Sequence, residues 1–422
     1  MTNVVLAGIL ALACTVFGIG LYVCAPSIPV AIALPASFLV LHVGGAGGGN
    51  NFSLADAALL LATLCALPLM HWRGAVNLRR WMVLVLIYQA TTLLSVLNSP
   101  NRYDAVEWFH QILMVAGAAV VGWVTVERGR VRMALRGYIL IAAVLSVWVI
   151  GLWFAHGFHT VASLPYGLQK NGLGVLFVTA VLAVHLAPSW IEFSDHWIRV
   201  LKYVCIAGVI STGSRQAMFG LVVAVLIVTI RDRGLLNRRE RKSLLMFLAL
   251  AIIAVIAYTS ISDEIASHSP TNSLAIRTQS YTQTLQIWHT SPIFGVGERY
   301  WYTGHFPGSF QPPNAEIGML ATGGVIGTVG FLILIVGSLT MLWRLPHAMG
   351  SFALAVMVAH VVEGQFDIFW VTGTGSVPWI ILGMAFAVSR QRLGEVMIHP
   401  RAPSTLKRID DDDRFRSRMT NF

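Results

Sequence analysis

Two arginines could bind a phosphate group, because they lie apart from the clusters that hold most of the basic residues. Arg215 occupies a polar turn at residues 211–217, directly before an apolar run, and Arg277 lies in a long polar segment. A guanidinium group binds phosphate oxygens in pairs, and the start of a helix beside glycine and serine favours an anion. Together the arginines predict a clamp for a pyrophosphate leaving group. The alternative for each is a solvated or snorkelling surface charge.

Polar residues at the ends of apolar runs supply further candidates for binding. Ionisable side chains in or beside membrane segments are rare and commonly functional, and Glu298 and Glu363 are acids of this kind. For a basic residue in such a position, snorkelling is again the alternative. The residues that we expect to recognise a sugar or a phosphate, besides the two arginines, are Lys170, Asn171, Arg299 and Asn314.

Transfer of a group to a sugar hydroxyl would also need a general base. The residues that could accept the proton are His305, Glu316 and Asp367. An imidazole titrates near neutral pH, and His268 and His289 lie further from Asn314 in the chain, so His305 is slightly favoured. Partial burial would make Glu316 a better base than an exposed carboxylate. A solvated histidine without a catalytic role is the alternative for His305.

These candidates belong to a chain whose composition is typical of a membrane protein. Of its 422 residues, 56% are hydrophobic and 11% are charged, against about 25% charged in a typical soluble domain. The mean hydropathy is +0.70, and the apolar runs are roughly 15–25 residues long, enough to cross a hydrocarbon core of about 30 Å. The runs are continuous rather than alternating, as in helices. The sequence therefore predicts an all-α, polytopic membrane protein.

We predict about 12–13 transmembrane helices in a membrane domain at 1–395. A charged cytoplasmic tail at 396–422, with a run of aspartates followed by arginines, is expected to be disordered. The candidate spans are 4–24, 28–45, 54–71, 81–98, 107–126, 134–155, 171–189, 199–211, 217–231, 243–261, 317–343, 350–370 and 375–389.

The positions of the basic residues indicate which loops face the cytoplasm. The formal net charge is +10, and most lysines and arginines lie in short loops after every second apolar run. The positive-inside rule assigns these loops to the cytoplasm, so binding to nucleic acid is not needed to explain the charge. The basic residues that this alternation leaves on the outer side are Arg102, Lys170, Arg215, Arg277 and Arg299.

One outer loop, at 262–316, is longer and less apolar than the other connections. Loops of this length are usually functional or disordered. Apolar residues recur in it at helical spacing until Pro292, which predicts a short amphipathic helix on the membrane surface. Gly295 and Gly297 predict a turn after this helix. The residues at helical spacing are Leu274, Tyr281, Leu285 and Trp288.

In order and spacing, these segments resemble the O-antigen ligase and Wzy-type polymerase superfamily of bacterial membrane glycosyltransferases. The resemblance covers roughly residues 165–390, and the N-terminal part is similar only in being apolar. The resemblance rests on Ser214-Arg215, on Ala275-Ile276-Arg277 followed by Trp288, Pro292 and Gly295-Val296-Gly297, and on Pro313-Asn314-Ala315-Glu316 followed by Leu320, Gly324 and Ile326-Gly327.

The resemblance implies an enzyme of the bacterial inner membrane whose active cavity opens to the periplasm under the long loop. The donor would be a glycan on undecaprenyl diphosphate, with Arg215 and Arg277 binding the diphosphate. The acceptor would be another lipid-linked repeat unit of an O-antigen, capsule or exopolysaccharide. Membrane lipid, a chain-length regulator and a flippase are further expected partners. We expect no cofactor and no metal, since the donor is not a nucleotide sugar and no outer carboxylate cluster is found.

The sequence leaves two alternatives to the predicted polymerase function. The family's usual His-Asn pair at the end of the loop is Pro313-Asn314 in this chain, with His305 as a possible substitute eight residues upstream. The missing histidine favours a polymerase over an O-antigen ligase, which would move the glycan to lipid A core or to a protein. A secondary transporter is the alternative from another class. Transporters commonly place ionisable groups near the bilayer midplane in paired halves, which this sequence lacks.

Overall fold

The computed structural model describes residues 20, 23–41, 53–72, 74–99, 101, 103–158, 168–232, 273–302, 312–368 and 373–398. These residues form helices and the turns between them, with no strand among them. The helices in chain order are α1 (Ser27–Ile32), α2 (Leu54–Leu69), α3 (Val76–Asn98), α4 (Asp104–Glu127), α5 (Val131–Ala155), α6 (Lys170–Leu186), α7 (Asp195–Thr212), α8 (Arg215–Asp232), α9 (Ser273–Thr290), α10 (Ala315–Arg344), α11 (His347–Glu363) and α12 (Val377–Ile398).

Among the described helices, α3, α4, α5 and α10 are long and apolar enough to cross a membrane. Apolar runs become helices because a helix pairs its backbone amides within its own segment, as hydrocarbon requires. The prediction of an all-α, multi-pass membrane protein is confirmed. Shorter apolar helical stretches lie at Leu54–Leu69, Lys170–Leu186, Gly350–Glu363 and Val377–Ser389.

The predicted span at 28–45 is wrong as a continuous helix. The chain instead forms α1 and a separate 3-10 turn at Pro35–Phe38. Pro35 has no amide hydrogen and its ring clashes with the carbonyl four residues earlier, so an α-helix does not continue through it. The carbonyl of Leu39 then accepts the amide of Ala55 at the start of α2. The predicted spans at 4–24, except residues 20, 23 and 24, and at 243–261 lie outside the described residues, as does the tail beyond 398.

Helices that are distant in sequence pack closely through small residues. α12 lies against α4, and a Cβ atom on Gly122 would come within 1.8 Å of the Ile380 carbonyl oxygen. α10 packs against α3, where Trp81 Nε1 donates a hydrogen bond to Ser338 Oγ at 2.8 Å. Small residues allow membrane helices to approach this closely, so that dispersion forces and interhelical hydrogen bonds hold the bundle together.

α10 is interrupted at Gly324, where φ is 64° and ψ is −168°. Only glycine adopts this conformation readily. Residues 291–299, which we call the strap, lie against α10 at this interruption. The predicted span at 317–343 is present as α10, and the structure adds an interruption at this residue, where the helical hydrogen-bond pattern gives way to bonds with the strap.

The strap supplies hydrogen bonds on both sides of the interruption. An unpaired backbone group in hydrocarbon costs several kcal/mol, so a broken membrane helix needs such partners. Strap amides donate to carbonyls before Gly324, and strap carbonyls accept from amides after it. The bonds are Val296 N to Ala321 O at 3.0 Å, Gly297 N to Thr322 O at 3.1 Å, Val325 N to Pro292 O at 3.0 Å and Ile326 N to Ile293 O at 3.3 Å.

We expect Gly324→Ala to lower the melting temperature of the purified protein. A Cβ atom at this residue would lie 2.3 Å from the Ile293 carbonyl oxygen, and the strained backbone alone would cost about 1–3 kcal/mol. The control is Gly151→Ala in α5, where an added Cβ meets nothing within 4 Å. Equal melting temperatures for the two variants would show that the interruption and the strap do not stabilise the fold.

Candidate active site

The turn at residues 364–368, which we call the Asp367 turn, follows α11 and connects the starts of other helices. Asp367 Oδ2 accepts a hydrogen bond from Asn171 Nδ2 in α6 at 2.9 Å. The same oxygen accepts one from Gln216 Nε2 in α8 at 2.7 Å. Asp367 Oδ1 accepts the amide of Ile368 at 2.8 Å. One carboxylate therefore joins α6 and α8 and holds Arg215, the neighbour of Gln216, at this end of the bundle.

Gln365 connects the same turn to the start of α10. Its Nε2 donates to Glu316 Oε1 at 2.8 Å, and its Oε1 accepts from Asn314 Nδ2 at 3.3 Å. Asn314 also caps α10, since its Oδ1 accepts the amide of Ile317 at 2.9 Å. The structure thus brings together, around one turn, the predicted site residues Asn171, Asn314, Glu316 and Asp367.

The positive ends of three helix dipoles meet at this cluster, because α6, α8 and α10 all begin there. The unpaired amides at a helix start favour an anion. Lys170 is the first residue of α6 and Arg215 is the first residue of α8, so each adds a cation to a helix start. Lys170 is half-buried and Arg215 is exposed. We call this end of the bundle the site end, and its charge suits a polyanion such as a diphosphate.

Small residues build the tight turn before Arg215. Gly213 adopts φ 61°, the left-handed conformation that commonly ends a helix. Thr212 Oγ1 accepts the amide of Ser214 at 3.2 Å, and Ser214 Oγ accepts the amide of Ala217 at 3.4 Å. These bonds end α7 and begin α8 within a few residues, which places Arg215 at the tip of the connection.

Arg277 also lies at the site end, on α9. Tyr281, one turn further along α9, donates its hydroxyl to the Pro313 carbonyl at 3.3 Å. α9 packs against α10 and leads into the strap, which meets α10 at residues 321–326, so the two helices run in the same direction along the first turns of α10. Arg277 therefore lies about 6 Å beyond Tyr281 along the helix axis, past the residues that start α10. Its side chain is half-buried.

The helix predicted within the long loop is confirmed as α9, and the side chains that it buries are not those of the apolar stripe seen in the sequence. Ser280, Thr284 and Ile287 are buried, whereas Leu285 is 40% exposed. Thr284 is tolerated because its Oγ1 donates to the Ser280 carbonyl at 2.7 Å, one turn earlier. The buried Ser280 hydroxyl has no hydrogen-bond partner among the described residues. Apolar spacing alone did not show which face packs against α10. The location of this helix on the membrane surface stays a prediction.

Arg299 lies in a separate buried network rather than beside the Asp367 turn. Its Nη1 is 3.6 Å from Glu107 Oε2, and its backbone amide donates to Asp104 Oδ1 at 2.6 Å. Glu107 Oε1 is 3.3 Å from His110 Nδ1, and His110 Nε2 is 3.1 Å from Asp56 Oδ1. The network ties the end of the strap to the start of α4. Contact of Arg299 with a substrate stays a prediction.

Two kinds of residue in the Asp367 cluster and in the Arg299 network were not predicted from the sequence. Gln216 and Gln365 organise the cluster around Asp367, but neutral amides carry no charge signal in the sequence. The acids and the histidine near the start of α4 were also missed, although three ionisable residues within seven positions of an apolar run, at 104, 107 and 110, were a usable signal. His305 lies in the segment 303–311, outside the described residues.

The cluster contains groups for both halves of a transfer reaction. Cations and helix starts can hold an anionic leaving group, and a carboxylate can accept a proton. Asp367 has hydrogen bonds on both oxygens. Glu316 Oε1 is bonded to Gln365, whereas its Oε2 is buried without a hydrogen-bond partner in the described part of the chain. Of these two carboxylates, Glu316 therefore has the oxygen that is available for a proton.

These features define a multi-pass helical membrane protein with a cluster of polar and charged side chains at one end of its helices. Residues 200–335, which include Arg215, Arg277 and Glu316, match the family described as O-antigen ligase. The match supports membership of the O-antigen ligase and Wzy superfamily, and it confirms the resemblance seen in the sequence. At the level of the family it supports a membrane glycosyltransferase-like enzyme of the O-antigen ligase or polymerase type. No curated protein matches the chain.

Glu298, in the strap, is a carboxyl group whose protonation changes on folding. Burial raises the pKa of Glu298 from its ordinary value of 4.5 to about 8. The neighbouring carboxyls of Glu107 and Asp104 raise the pKa of Glu298 further, and hydrogen bonds with Gln111 and Thr322 oppose the shift. The fold therefore favours the protonated form of Glu298.

We expect Glu298→Gln to flatten the dependence of stability on pH. A raised pKa in the folded state means that the contribution of Glu298 is fully present below about pH 4.5 and is lost as the pH rises through about 8. The variant should raise the melting temperature more at about pH 9 than at about pH 5. Asp195→Asn, at an exposed position in the first turn of α7, is the control and should keep the parent profile. An equal shift of Glu298→Gln at both pH values would contradict the assignment.

Proposed function

We propose that this protein polymerises a bacterial surface polysaccharide at the periplasmic face of the inner membrane. It transfers a glycan from undecaprenyl diphosphate to the non-reducing end of another lipid-linked repeat unit. The observation that carries the proposal is the cluster around Asp367, where three helix starts meet beside Lys170, Arg215 and Glu316. The family match supports the reaction class, and the choice of polymerase, donor, acceptor and membrane face is our own.

The donor diphosphate binds to Arg215, Lys170 and Arg277 in this proposal. During transfer, the bond between the anomeric carbon of the glycan and a diphosphate oxygen breaks, and the electron pair leaves with the diphosphate. Fixed cations and helix starts stabilise the charge that develops on that oxygen. Arginine suits this task because its planar fork can bind two phosphate oxygens at once. The cations take the role that a metal has in many other transferases.

The acceptor hydroxyl loses its proton to Glu316 while its oxygen bonds to the anomeric carbon. Gln365 fixes Glu316 through Oε1, which leaves Oε2 for the proton. Asp367 acts mainly as a positioning residue, since Asn171, Gln216 and the amide of Ile368 occupy its oxygens. His305 is the competing candidate for the base.

Pro313 favours a polymerase over a ligase. It stands where the family's histidine is expected, it has no side chain that could activate an acceptor, and its carbonyl accepts a hydrogen bond from Tyr281. The second candidate function is an O-antigen ligase that moves the glycan to lipid A core or to a protein. It is kept because the family matched by residues 200–335 is described by that activity.

The function is tested with purified protein and defined undecaprenyl-diphosphate-linked repeat units. A polymerase yields a ladder of products and releases undecaprenyl diphosphate. In cells that lack the gene, loss of a polymerase leaves a single repeat unit on the final acceptor, whereas loss of a ligase leaves that acceptor bare while long lipid-linked chains accumulate. Protein in liposomes that moves a solute but never releases undecaprenyl diphosphate would identify a secondary transporter and overturn the proposal.

We expect Arg277→Lys to lose nearly as much polymerase activity as Arg277→Ala. A lysine keeps the charge but cannot bind two oxygens in a fork, so the loss should be about 10-fold to 100-fold. The control is Arg199→Lys, an exposed arginine on α7 whose Nε donates to the Asp195 carbonyl near the other end of that helix. If Arg277→Lys makes a near-normal amount of polymer at matched protein levels, Arg277 is a surface charge that does not bind the diphosphate.

We expect Glu316→Gln to lower the turnover by about 10²-fold to 10⁴-fold, as removal of a general base does. His305→Ala is measured beside it, and Asp195→Asn serves as the control for a neutralised acid far from the cluster. Membrane levels of all variants must be matched. Full activity of Glu316→Gln together with collapse of His305→Ala would assign the base to His305. Full activity of both variants would mean that departure of the diphosphate limits the reaction.

A further inference from the structure

A cavity of about 530 Å³ lies at the end of the bundle opposite to the site end. It is formed by the end of α4, the start of α5, the short helical turn Pro188–Ile191 that follows α6, and Val388 of α12. The 17 residues of α6 separate the two ends by about 25 Å. The lining residues on which the inference rests are Arg130, Arg132, Met133, Arg136 and Trp190.

The three arginines of this cavity are only partly neutralised. Arg132 forms an ion pair with Glu192. Arg136 donates from Nε to the Ile191 carbonyl at 2.7 Å and from Nη2 to the Glu192 carbonyl at 2.6 Å, so its partners there are neutral. Arg130 is exposed, and in the described ranges no acidic side chain forms an ion pair with it. The cavity therefore carries a net positive charge.

The start of α5 adds to the attraction for an anion. Arg130 precedes α5 and no side chain caps the helix, so the first amides of α5 lie beside the arginines without side-chain acceptors. Such amides, with the helix dipole behind them, favour a phosphate oxygen. The dipole and the arginines thus act at the same place.

An apolar strip on α5 continues from the cavity. Met133 lines the cavity, and Leu140, Val144 and Val147 follow it with exposed fractions of 49%, 69% and 59%. At 3.6 residues per turn, these residues and Arg136 fall within an arc of about 80° on α5. The strip extends about 21 Å from Met133 to Val147, which is longer than the roughly 15 Å of hydrocarbon in one leaflet.

We propose that this cavity binds the phosphate headgroup of an anionic phospholipid, with the acyl chains lying along the strip on α5. A soluble phosphate would use only the cationic part, and a neutral apolar molecule only the strip, whereas an anionic phospholipid matches both. The positive-inside rule assigns these arginines to the cytoplasmic leaflet, where basic pockets between helices bind anionic headgroups. Trp190 lines the cavity beside the arginines, and tryptophan is enriched at the level of lipid headgroups. The bound lipid joins α4, α5 and the turn after α6, independently of the proposed transferase activity.

The test uses the full-length protein, purified in a mild detergent and incubated with phosphatidylglycerol or phosphatidylcholine of identical acyl chains. Native mass spectrometry measures the retained lipid. We expect phosphatidylglycerol to be retained preferentially. Its retention should fall about fivefold for each arginine removed, and about 25-fold for Arg130→Ala combined with Arg132→Ala. Arg136 is left intact because it holds the backbone at 191–192. The matched control is Arg128→Ala, a neighbouring exposed arginine that does not line the cavity.

Two further measurements separate the lipid from a free anion. Val144→Ser should weaken retention of phosphatidylglycerol through the strip, and inorganic phosphate at equal concentration should not displace the lipid. Displacement by phosphate, or no effect of Val144→Ser, would mean that the cavity takes a soluble anion. Equal retention of both lipids, or equal retention by the parent and the double variant, would overturn the proposal. Arg130→Ala alone, at an exposed position, replaces the double variant if that protein does not fold.

Discussion

Every backbone N–H and C=O group of this protein that enters hydrocarbon must find a partner within the protein, because lipid offers none. Apolar runs therefore become helices, and the helices approach so closely that Gly122 has room for no side chain against Ile380. The same constraint explains the strap. Where Gly324 interrupts α10, the strap supplies the hydrogen bonds that are missing within the helix. Backbone hydrogen bonds therefore fix the position of the strap on α10.

The strap in turn determines where the residues of the long loop can act. It follows α9 directly, and Arg299 at its end is bound to Asp104 and Glu107 in α4. Two contacts thus hold α9 against α10: the strap at the end of α9, and the hydrogen bond from Tyr281 to the Pro313 carbonyl. This arrangement keeps Arg277 at the site end, where Arg215 and Lys170 begin their helices.

In our two proposals arginine has a different role at each end of the bundle, and the surroundings of the arginines are the reason. At the site end, Arg215 stands beside amide and carboxylate side chains at converging helix starts, an environment for a charged, polar substrate. At the other end, Arg130, Arg132 and Arg136 border an exposed apolar strip, an environment for an amphipathic molecule. The positive charge is similar in both places, and the difference lies in what the chain places next to it.

The sequence by itself determined the helical membrane class, the resemblance to the family and the polar residues that carry charge, because hydropathy and charge are local properties. It could not determine that Gln216 and Asn171 meet at Asp367, since 151 and 196 residues separate these partners and no local pattern encodes such a contact. It also placed Arg299 with the substrate-binding residues, although tertiary packing surrounds this arginine with acids of α4. The interruption at Gly324 and the buried face of α9 were likewise decided by tertiary structure, because both depend on hydrogen bonds and packing between segments that only the folded chain brings together.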